Sequence, residues 1–383
     1  MHLTEIKYQD AATRSYLGSP SILRLPDEAP HGGDMVVTHD YFGPGCPLNH
    51  EREEHLTSVY RSSDDGRTWT NVTHVANAFW SNLFWHRGAL YLLGCSQQYG
   101  SIVIRRSQDG GDTWTHPGDG ASGLLVQGGP RREPPNFHCA PMPVLEHEGR
   151  LYRAFENCDP CVWGSGFRSL VISADAEADL LSAESWTVSN HLAFDPAWVP
   201  EQWGKLDRPG WLEGNVVVAP DGRLLNVLRF NSIPVVDKAA VVEVHDDGRR
   251  VTFHPDEGLI DLPGGMTKFV IRRDPRTGLY VTLSNSNTDP SSPNQRNVLS
   301  LHVSEDLREW GRLRTLLRDD LAHSWEDSVR LTGFQYPDWH FDGEDIIAAV
   351  RTAYRGAHNF HDANRITFHR ISDWRRHACR AGS

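Results

Sequence analysis

The sequence predicts an all-β protein that folds as a single β-propeller domain over residues 1–383. Three observations support this prediction: a hairpin-rich unit recurs along the whole chain, two closely matching turn motifs follow short β-rich runs, and helical patterns are nearly absent. Closed β architectures of this kind keep long chains as one domain. We count six four-stranded blades, and a seventh could lie in the long third unit or be completed from both termini.

The turn motifs are SSDDGRTW at residues 62–69 and SQDGGDTW at residues 107–114, and both match S-x-D-x-G-x-T-W. In such a turn the Asp side chain accepts hydrogen bonds from backbone amides, and the Gly supplies a positive φ. The Trp is expected to pack between neighbouring sheets. Weaker versions recur at residues 173–186 and 304–310. We interpret these turns as markers of one blade each.

Each unit also contains two apolar runs joined by a polar turn. These turns hold Gly, Asn or Asp beside a charged residue, as β-hairpins require. The units start near residues 19, 77, 136, 211, 266 and 330, a mean step of about 62 residues. One segment, AEADLLSAESW at residues 176–186, is expected to form one or two helical turns.

Composition excludes several classes of protein. The net charge of −12 disfavours binding to nucleic acid or to an anionic membrane. No stretch approaches about 18 apolar residues, and residues 1–10 lack the pattern of a signal peptide. We therefore expect a cytoplasmic protein, unless a leader has been removed. The six cysteines are then expected to be reduced, and Cys158 and Cys161, a single CxxC pair, are interpreted as structural thiols.

In this topology the starts of the innermost strands, the ends of the second strands and the following loops converge on one mouth. Polar and aromatic residues occupy these positions. The substrate-binding candidates are Trp80, Glu156, Glu213, Asn215, Arg229, Lys268, Gln335, Tyr336, Arg351, His358 and His361. Arg matches a carboxylate, amides match sugar hydroxyls and aromatic rings match sugar faces, so the set predicts recognition of a polar, anionic small molecule. The alternative is that these groups only satisfy one another or bind water.

We predict neither a metal nor another cofactor. His358 and His361 are spaced as two ligands could be, but no third ligand is dictated by spacing. A hydrogen-bonded histidine pair is the simpler interpretation.

The S-x-D-x-G-x-T-W turns resemble those of the sialidase superfamily. Further segments resemble a narrower branch of such propellers, polysaccharide lyase family 42, which cleaves a terminal L-rhamnosyl-α-1,4-D-glucuronate linkage. The resembling segments are GSPSI (18–22), THDYFG (38–43), NFH (136–138), WLEGN (211–215), GFQY (333–336), AHNFHDAN (357–364) and TFHRI (367–371). The resemblance spans nearly the whole chain and implies an exo-acting lyase whose substrate is an oligosaccharide carrying a uronic acid.

In that branch a His after the second strand of the first blade is the implied catalytic group, and His39 occupies that place here. A neutral imidazole can remove the C5 proton of a uronate, while Tyr41 and His138 could relay a proton to the leaving oxygen. Three alternatives stay open. His39 could be a structural residue of the first blade, Glu156 and Glu213 could hydrolyse the same linkage, or the propeller could bind glycan or protein without chemistry.

Sialic acid hydrolysis is not predicted. Sialidases open their first blade with an Arg-Ile-Pro type segment, whereas residues 18–22 read GSPSI and Arg24 falls inside the strand. They also need a nucleophilic Tyr paired with a Glu, and no spacing in this sequence identifies such a pair.

Overall fold

The structure is a computed structural model that describes residues 3–321 and 323–381, apart from the side chains of residues 377 and 379–381. It contains six antiparallel sheets, and the strand order in each follows the chain except where the ring closes. This arrangement confirms the predicted all-β propeller with six blades. The side chain of Cys379 lies outside the described part of the chain.

The strands begin with β1 (Thr4–Tyr8), which belongs to the last blade. Blade 1 contains β2 (Tyr16–Arg24), β3 (Met35–Phe42), β4 (Leu56–Ser62) and β5 (Thr70–Ala76). Blade 2 contains β6 (Phe79–His86), β7 (Ala89–Cys95), β8 (Ile102–Ser107) and β9 (Leu124–Val126). Blade 3 contains β10 (Phe137–His138), β11 (Leu145–His147), β12 (Arg150–Cys158), β13 (Phe167–Asp175), β14 (Trp186–Val188) and β15 (Leu192–Ala193).

Blade 4 contains β16 (Gly210–Val218), β17 (Leu224–Asn231), β18 (Lys238–His245), β19 (Arg250–Phe253) and β20 (Leu259–Asp261). Blade 5 contains β21 (Val270–Arg273), β22 (Tyr280–Ser284), β23 (Val298–Ser304) and β24 (Gly311–Arg318). Blade 6 contains β25 (Gly333–Asp342), β26 (Asp345–Ala353) and β27 (Arg365–Ile371), with β1 outermost. The extra strands of blades 3 and 4 are interruptions of the inner or outer strand, since each pair shares one neighbour.

The ring closes inside blade 6. Strand β1 pairs antiparallel with β27, with Thr4 opposite Phe368 and Tyr8 opposite Arg365. The two ends of the chain therefore complete the sixth blade and do not build a seventh. The long third unit also forms one blade, because β10 and β11 both pair with β12.

The S-x-D-x-G-x-T-W turns have the predicted geometry. Asp64 Oδ1 accepts the Thr68 amide at 2.9 Å, Asp64 Oδ2 accepts the Thr68 hydroxyl at 2.7 Å, and Gly66 has φ +83°. The Trp69 ring lies 5.6 Å from Phe368 of the neighbouring blade 6, which confirms packing between sheets. The turn at residues 304–310 repeats the design with Leu307 at φ +66° in place of glycine.

A hydrophobic cluster fills the space between each pair of neighbouring blades. Leu93 and Ile102 of blade 2 pack with Leu170 of blade 3, and Val37 of blade 1 packs with Ile347 of blade 6. Both faces of a blade are therefore buried, and alternation along a strand does not separate an inner from an outer face. Strand alternation therefore does not show whether the His39 side chain faces the mouth or the space between two blades.

Two α-helices were not predicted: α1 (Trp325–Leu331) and α2 (Trp374–Ala381). The Ser324 side chain caps α1 by accepting the Asp327 amide at 3.1 Å. The buried Trp374 anchors α2 by stacking on Phe341 at 5.6 Å. Short 3₁₀ helices are found at Ala11–Thr13, Pro130–Arg132, Ala183–Ser185, Pro196–Trp198, Glu201–Trp203 and Asp246–Gly248.

The segment at residues 176–186 is only partly helical, since its sole helical turn is Ala183–Ser185. Across the described ranges, no helix combines the length and the apolar character needed to cross a membrane.

Buried histidines predict a loss of stability in mild acid. Burial lowers the pKa of both His39 and His302 from 6.5 to about 4. Below pH 6.5 the unfolded chain therefore binds protons that the folded chain excludes, and stability falls until about pH 4. Each of these groups is expected to cost about 2 kcal/mol between pH 7 and pH 5, measured by urea unfolding.

The control for this prediction is His116→Gln, a change at an exposed histidine that should leave the pH-dependent loss unchanged. The variant His302→Gln should shrink the loss. An equal loss in His302→Gln and in the parent protein would contradict the assignment.

Candidate functional site

A pocket of about 170 Å³ opens at the mouth where the innermost strands begin. It is lined by Ser19, Asp40, Phe42, Glu54, Phe79, Trp80, Gln98, Tyr99, His138, Trp163, Glu213, Tyr336, Arg351 and His361. All of these residues lie near strand starts, second-strand ends or the loops that follow, as the blade topology predicts. Three larger cavities, of about 280, 300 and 510 Å³, are lined by other described residues, and none of them joins a tyrosine to a carboxylate.

Irregularities in the innermost strands direct side chains to this mouth. The pairing register shifts at residues 79–82 in β6, 212–215 in β16 and 335–338 in β25. At these bulges Trp80, Glu213 and Tyr336 have φ of +48°, +57° and +52°. Non-glycine residues rarely adopt this left-handed conformation, and it is maintained where surrounding structure holds it, often at functional sites. Three blades thus present one pocket residue each through the same backbone device.

Glu213, Tyr336 and Arg229 form a compact cluster. The Tyr336 hydroxyl donates to Glu213 Oε1 at 2.7 Å, and Arg229 donates to Glu213 Oε2 at 3.0 Å. Arg229 also donates to the Tyr336 oxygen at 3.2 Å and to the Met266 carbonyl at 2.8 Å. The cluster joins blades 4 and 6 across 123 residues of sequence. Tyr336 and Glu213 are thus paired in space, although no spacing in the sequence pairs them.

The electrostatics of this cluster keep the proton on tyrosine. Burial would raise the pKa of Glu213, but the charges of Arg229 and His138 and the Tyr336 hydrogen bond together lower it. Burial raises the pKa of Tyr336, and the negative charge of Glu213 raises it further. The resting pair is therefore a phenol beside a carboxylate that can accept its proton.

Asp40 is one of two acidic groups that blade 1 contributes to the pocket, the other being Glu54. Its Oδ1 accepts the Ser19 amide and its Oδ2 the Trp80 amide, both at 2.9 Å. These bonds favour the charged form, but burial outweighs them and raises the pKa of Asp40 to about 7. A carboxyl group with this pKa can donate a proton near neutral pH.

Gly18 gives Asp40 its space. A Cβ atom at residue 18 would lie 1.5 Å from Asp40 Oδ1. We expect Gly18→Ala to displace the Asp40 carboxyl group and to lower turnover by at least about 10²-fold in a folded protein. Gly118→Ala is the matched control, because a Cβ there meets nothing closer than 3.6 Å. Full activity in Gly18→Ala would show that the position of Asp40 does not matter.

Two buried arginines add positive charge near the pocket. Arg351 lines it, lies over the rings of Phe42 and Tyr336 at 4.5 and 5.0 Å, and donates to the His361 carbonyl at 2.6 Å. Arg296 lies behind it and donates to Gln335 Oε1 at 3.0 Å. Among the described residues, neither arginine forms an ion pair and each has a buried Nε without a hydrogen-bond partner. Buried cations of this kind suit an anionic ligand.

His138 and Glu156 form a second hydrogen-bonded pair. His138 Nδ1 lies 2.7 Å from Glu156 Oε2, and Glu156 itself is fully buried behind the pocket wall. The His138 ring packs between Trp80 and Phe167 at 4.4 and 4.7 Å. Since Nδ1 is engaged, Nε2 is the nitrogen available to a ligand.

His39 and Tyr41 lie outside the pocket. Both side chains are buried against Tyr60 in the cluster between blades 1 and 6, with the His39 ring 5.5 Å from Tyr60. His39 Nδ1 donates to the Asp40 carbonyl at 3.0 Å, and burial lowers the pKa of His39 to about 4. The structure thus places them in the blade core, as the structural alternative for His39 requires.

The remaining predicted residues divide into pocket and support. The pocket is lined by six of them: Trp80, His138, Glu213, Tyr336, Arg351 and His361. Three others form hydrogen bonds to residues in or next to the pocket wall: Glu156, Arg229 and Gln335. Two others bind the channel backbone: Lys268 donates to the Pro337 carbonyl at 2.7 Å, and Asn215 accepts the Ile271 amide at 2.9 Å.

His358 and His361 share one acceptor. Their Nδ1 atoms lie 2.7 and 3.0 Å from the Asp362 carboxylate, and His358 is exposed. Within the part of the chain described, no three His, Cys, Asp or Glu side chains group as metal ligands would.

Sequence reasoning gave Asp40 no role and did not identify Glu54, Tyr99 and Trp163 as pocket residues. Asp40 neighbours His39 in β3, but both faces of that strand are buried, so polarity and alternation did not distinguish them. Tyr99 and Trp163 lie in loops, where no periodicity fixes direction. The bulge at Trp80 was likewise not visible in the sequence.

Comparisons with solved structures identify the fold. An α-L-arabinanase of Penicillium chrysogenum complexed with arabinobiose is 16% identical, with a TM-score of 0.57 over 97% of this chain and 98% of that one. A Hadza microbial sialidase is 15% identical, with a TM-score of 0.58 over 97% of this chain and 68% of that one. A Dyadobacter fermentans protein of unknown function is 12% identical, with a TM-score of 0.60 over 97% and 98%. No family model and no curated protein matches the chain. The chain thus shares the six-bladed β-propeller fold with these structures.

Proposed function

We propose that the protein is an exo-acting glycosidase that cleaves a terminal bond of an oligosaccharide carrying an anionic sugar. The observation that carries this proposal is the Glu213–Tyr336–Arg229 cluster in the same small pocket as Asp40. At about 170 Å³ the pocket is smaller than a typical drug-sized site, which suits one terminal sugar. Solved sialidases and arabinan-cleaving enzymes on the same fold are consistent with a carbohydrate substrate.

The chemistry is a double displacement. Tyr336 Oη attacks the anomeric carbon while its proton passes to Glu213 Oε1, and Asp40 protonates the leaving oxygen as the glycosidic bond breaks. In the second half, the Asp40 carboxylate takes a proton from water, which attacks the anomeric carbon. The bond to Tyr336 then breaks, and the phenol regains its proton from Glu213.

Arg351 is proposed to bind the carboxylate of the anionic sugar. It lines the pocket and has no carboxylate partner among the described residues. A bound anion would therefore provide the negative charge that pairs with its guanidinium group. We expect Arg351→Met to raise KM for an anionic substrate by about 10- to 10²-fold, since bonds to charged groups contribute about 1.5–3 kcal/mol. Arg67→Met, at an exposed position in a blade 1 turn, is the control and should leave KM unchanged. A KM for Arg351→Met equal to that of the control would argue against this role.

A second candidate is β-elimination at an L-rhamnosyl-α-1,4-D-glucuronate linkage, the activity implied by the resemblance to polysaccharide lyase family 42. The observation that favours it is the His138–Glu156 pair. His138, oriented by Glu156, could remove the C5 proton of a uronate held by Arg351. In this version His138 takes the role first predicted for His39.

The test uses two probes: a rhamnosyl-α-1,4-glucuronate oligosaccharide and an aryl α-sialoside. The sialoside is included because the structure supplies the Tyr–Glu pair, although Arg24 lies away from the mouth in an ion pair with Asp342. Free rhamnose without a rise in ultraviolet absorbance, or free sialic acid, supports hydrolysis. Rhamnose with such a rise means elimination. Release of neither sugar would count against both candidates for these linkages.

A further inference from the structure

A pair of cysteines lies at the edge of the pocket. Cys158 is the last residue of β12, and Cys161 follows in the loop that carries Trp163. Trp163 lines the pocket, and its ring covers the Arg229 guanidinium group at 5.4 Å. Arg229 in turn holds both Glu213 and Tyr336. The loop after the dithiol is therefore in contact with the central cluster of the site.

The two thiols are close together but chemically unequal. Cys158 is fully buried and Cys161 is partly exposed, and both pack with Phe167 and Leu212. Interaction with the Cys158 thiol lowers the pKa of Cys161, and the charge of Arg132 lowers it further. Burial raises the pKa of Cys158. An accessible thiol that ionises readily beside a protected one is the arrangement found in redox-active pairs.

A second pair in the same protein provides a comparison. Cys95 and Cys139 have their Sγ atoms 3.8 Å apart, but both are fully buried between blades 2 and 3. Burial raises the pKa of Cys95 well above its ordinary value. The two thiols lie near each other in both pairs. Among these four thiols, only Cys161 is partly exposed to solvent.

We propose that Cys158 and Cys161 form a redox-active dithiol that hydroperoxides oxidise to an intramolecular disulfide. The Cys161 thiolate attacks one peroxide oxygen, the O–O bond breaks, and the other oxygen leaves as water or an alcohol after taking a proton. Cys158 then attacks the resulting sulfenic sulfur, the S–O bond breaks, and a second water leaves. The two sulfurs are oxidised by two electrons in total, and the peroxide is reduced by the same two.

The bond would act on the pocket through the loop. Joining residues 158 and 161 fixes the start of the loop against the end of β12, two residues before Trp163. Since Trp163 covers Arg229, a change in its position alters the wall of the pocket next to the Glu213–Tyr336 pair. This consequence for turnover depends on the proposed function, whereas the oxidation itself does not.

The first test treats the full chain with hydrogen peroxide and maps peptides by mass spectrometry with and without dithiothreitol. We expect a mass loss of about 2 Da in the peptide containing both Cys158 and Cys161, reversed by the reductant. Cys161→Ser should abolish it, and its partly exposed position makes the variant compatible with folding. Cys139→Ser, which removes one thiol of the buried pair, should leave it intact. Absence of the disulfide, or irreversible oxidation of Cys161 without it, would overturn the proposal.

The second test compares kcat/KM of oxidised and reduced protein on whichever probe is cleaved. We expect a change of at least about threefold that dithiothreitol reverses and that Cys161→Ser lacks. An unchanged kcat/KM with the disulfide present would refute control of the pocket. If neither probe is cleaved, the proposed function fails, but peptide mapping still decides whether the redox site exists.

Discussion

Replacing Tyr336 with phenylalanine is expected to lower kcat by about 10³-fold or more while the protein stays folded. The change removes the oxygen that donates to Glu213 at 2.7 Å and that would form the bond to the sugar. The ring remains to pack beneath Arg351, so substrate binding should change little. The measurement is steady-state kinetics on the cleaved probe, with thermal unfolding as a check on folding.

Tyr99→Phe is the matched control for this variant. Tyr99 lines the same pocket, but among the described residues its hydroxyl has no hydrogen-bond partner, so its loss should change kcat by less than about threefold. If Tyr336→Phe keeps more than about a tenth of the parent kcat, Tyr336 is not the nucleophile. The elimination catalysed by His138 would then become the leading candidate, and His138→Gln would be the next variant.

Replacing Asp40 with asparagine is expected to reduce kcat/KM by about 10²- to 10⁴-fold and to remove one limb of the pH profile. Asp40 must be protonated to donate to the leaving oxygen, and burial raises its pKa to about 7. Activity of the parent protein should therefore fall as the pH rises above about 7. Asparagine carries no proton to give, so any residual activity should lack this fall.

Glu54→Gln tests whether another pocket carboxyl group is responsible. Burial also raises the pKa of Glu54, which accepts the Gly43 amide at 2.6 Å. If Asp40 is the acid, Glu54→Gln should keep the fall in activity above pH 7. Loss of this fall in Glu54→Gln, with retention in Asp40→Asn, would assign the acid to Glu54.

The repeat explains why the fold could be predicted. Each S-x-D-x-G-x-T-W turn is closed by contacts within eight residues, such as those of Asp64 with Thr68, so the local sequence specifies it. Blade number and strand order then follow from the spacing of similar units. The two helices were not predicted, because α1 is short and α2 depends on the contact between Trp374 and Phe341, which are distant in sequence.

The candidate site was only partly predictable, because its geometry arises between blades. The topology placed Glu213 and Tyr336 at one mouth, but their hydrogen bond joins residues 123 positions apart and depends on two bulges. A bulge changes the side of the strand on which the following residues lie. The alternation of polar and apolar residues in the sequence does not predict where a bulge occurs. His39 shows the same limit, since its neighbour Asp40 faces the pocket while His39 faces blade 6.

The pairing of β1 with β27 closes the ring, and it bears on where the chain termini can be placed. Blade 6 is built from both ends of the chain, with Thr4 to Tyr8 paired to the strand that ends at Ile371. Every blade is thus flanked by two others, and packing alone distinguishes no first or last member. The packing between blades therefore does not require the chain termini to lie in blade 6. Circular permutants cut in an exposed turn between strands are for this reason expected to form the same closed ring.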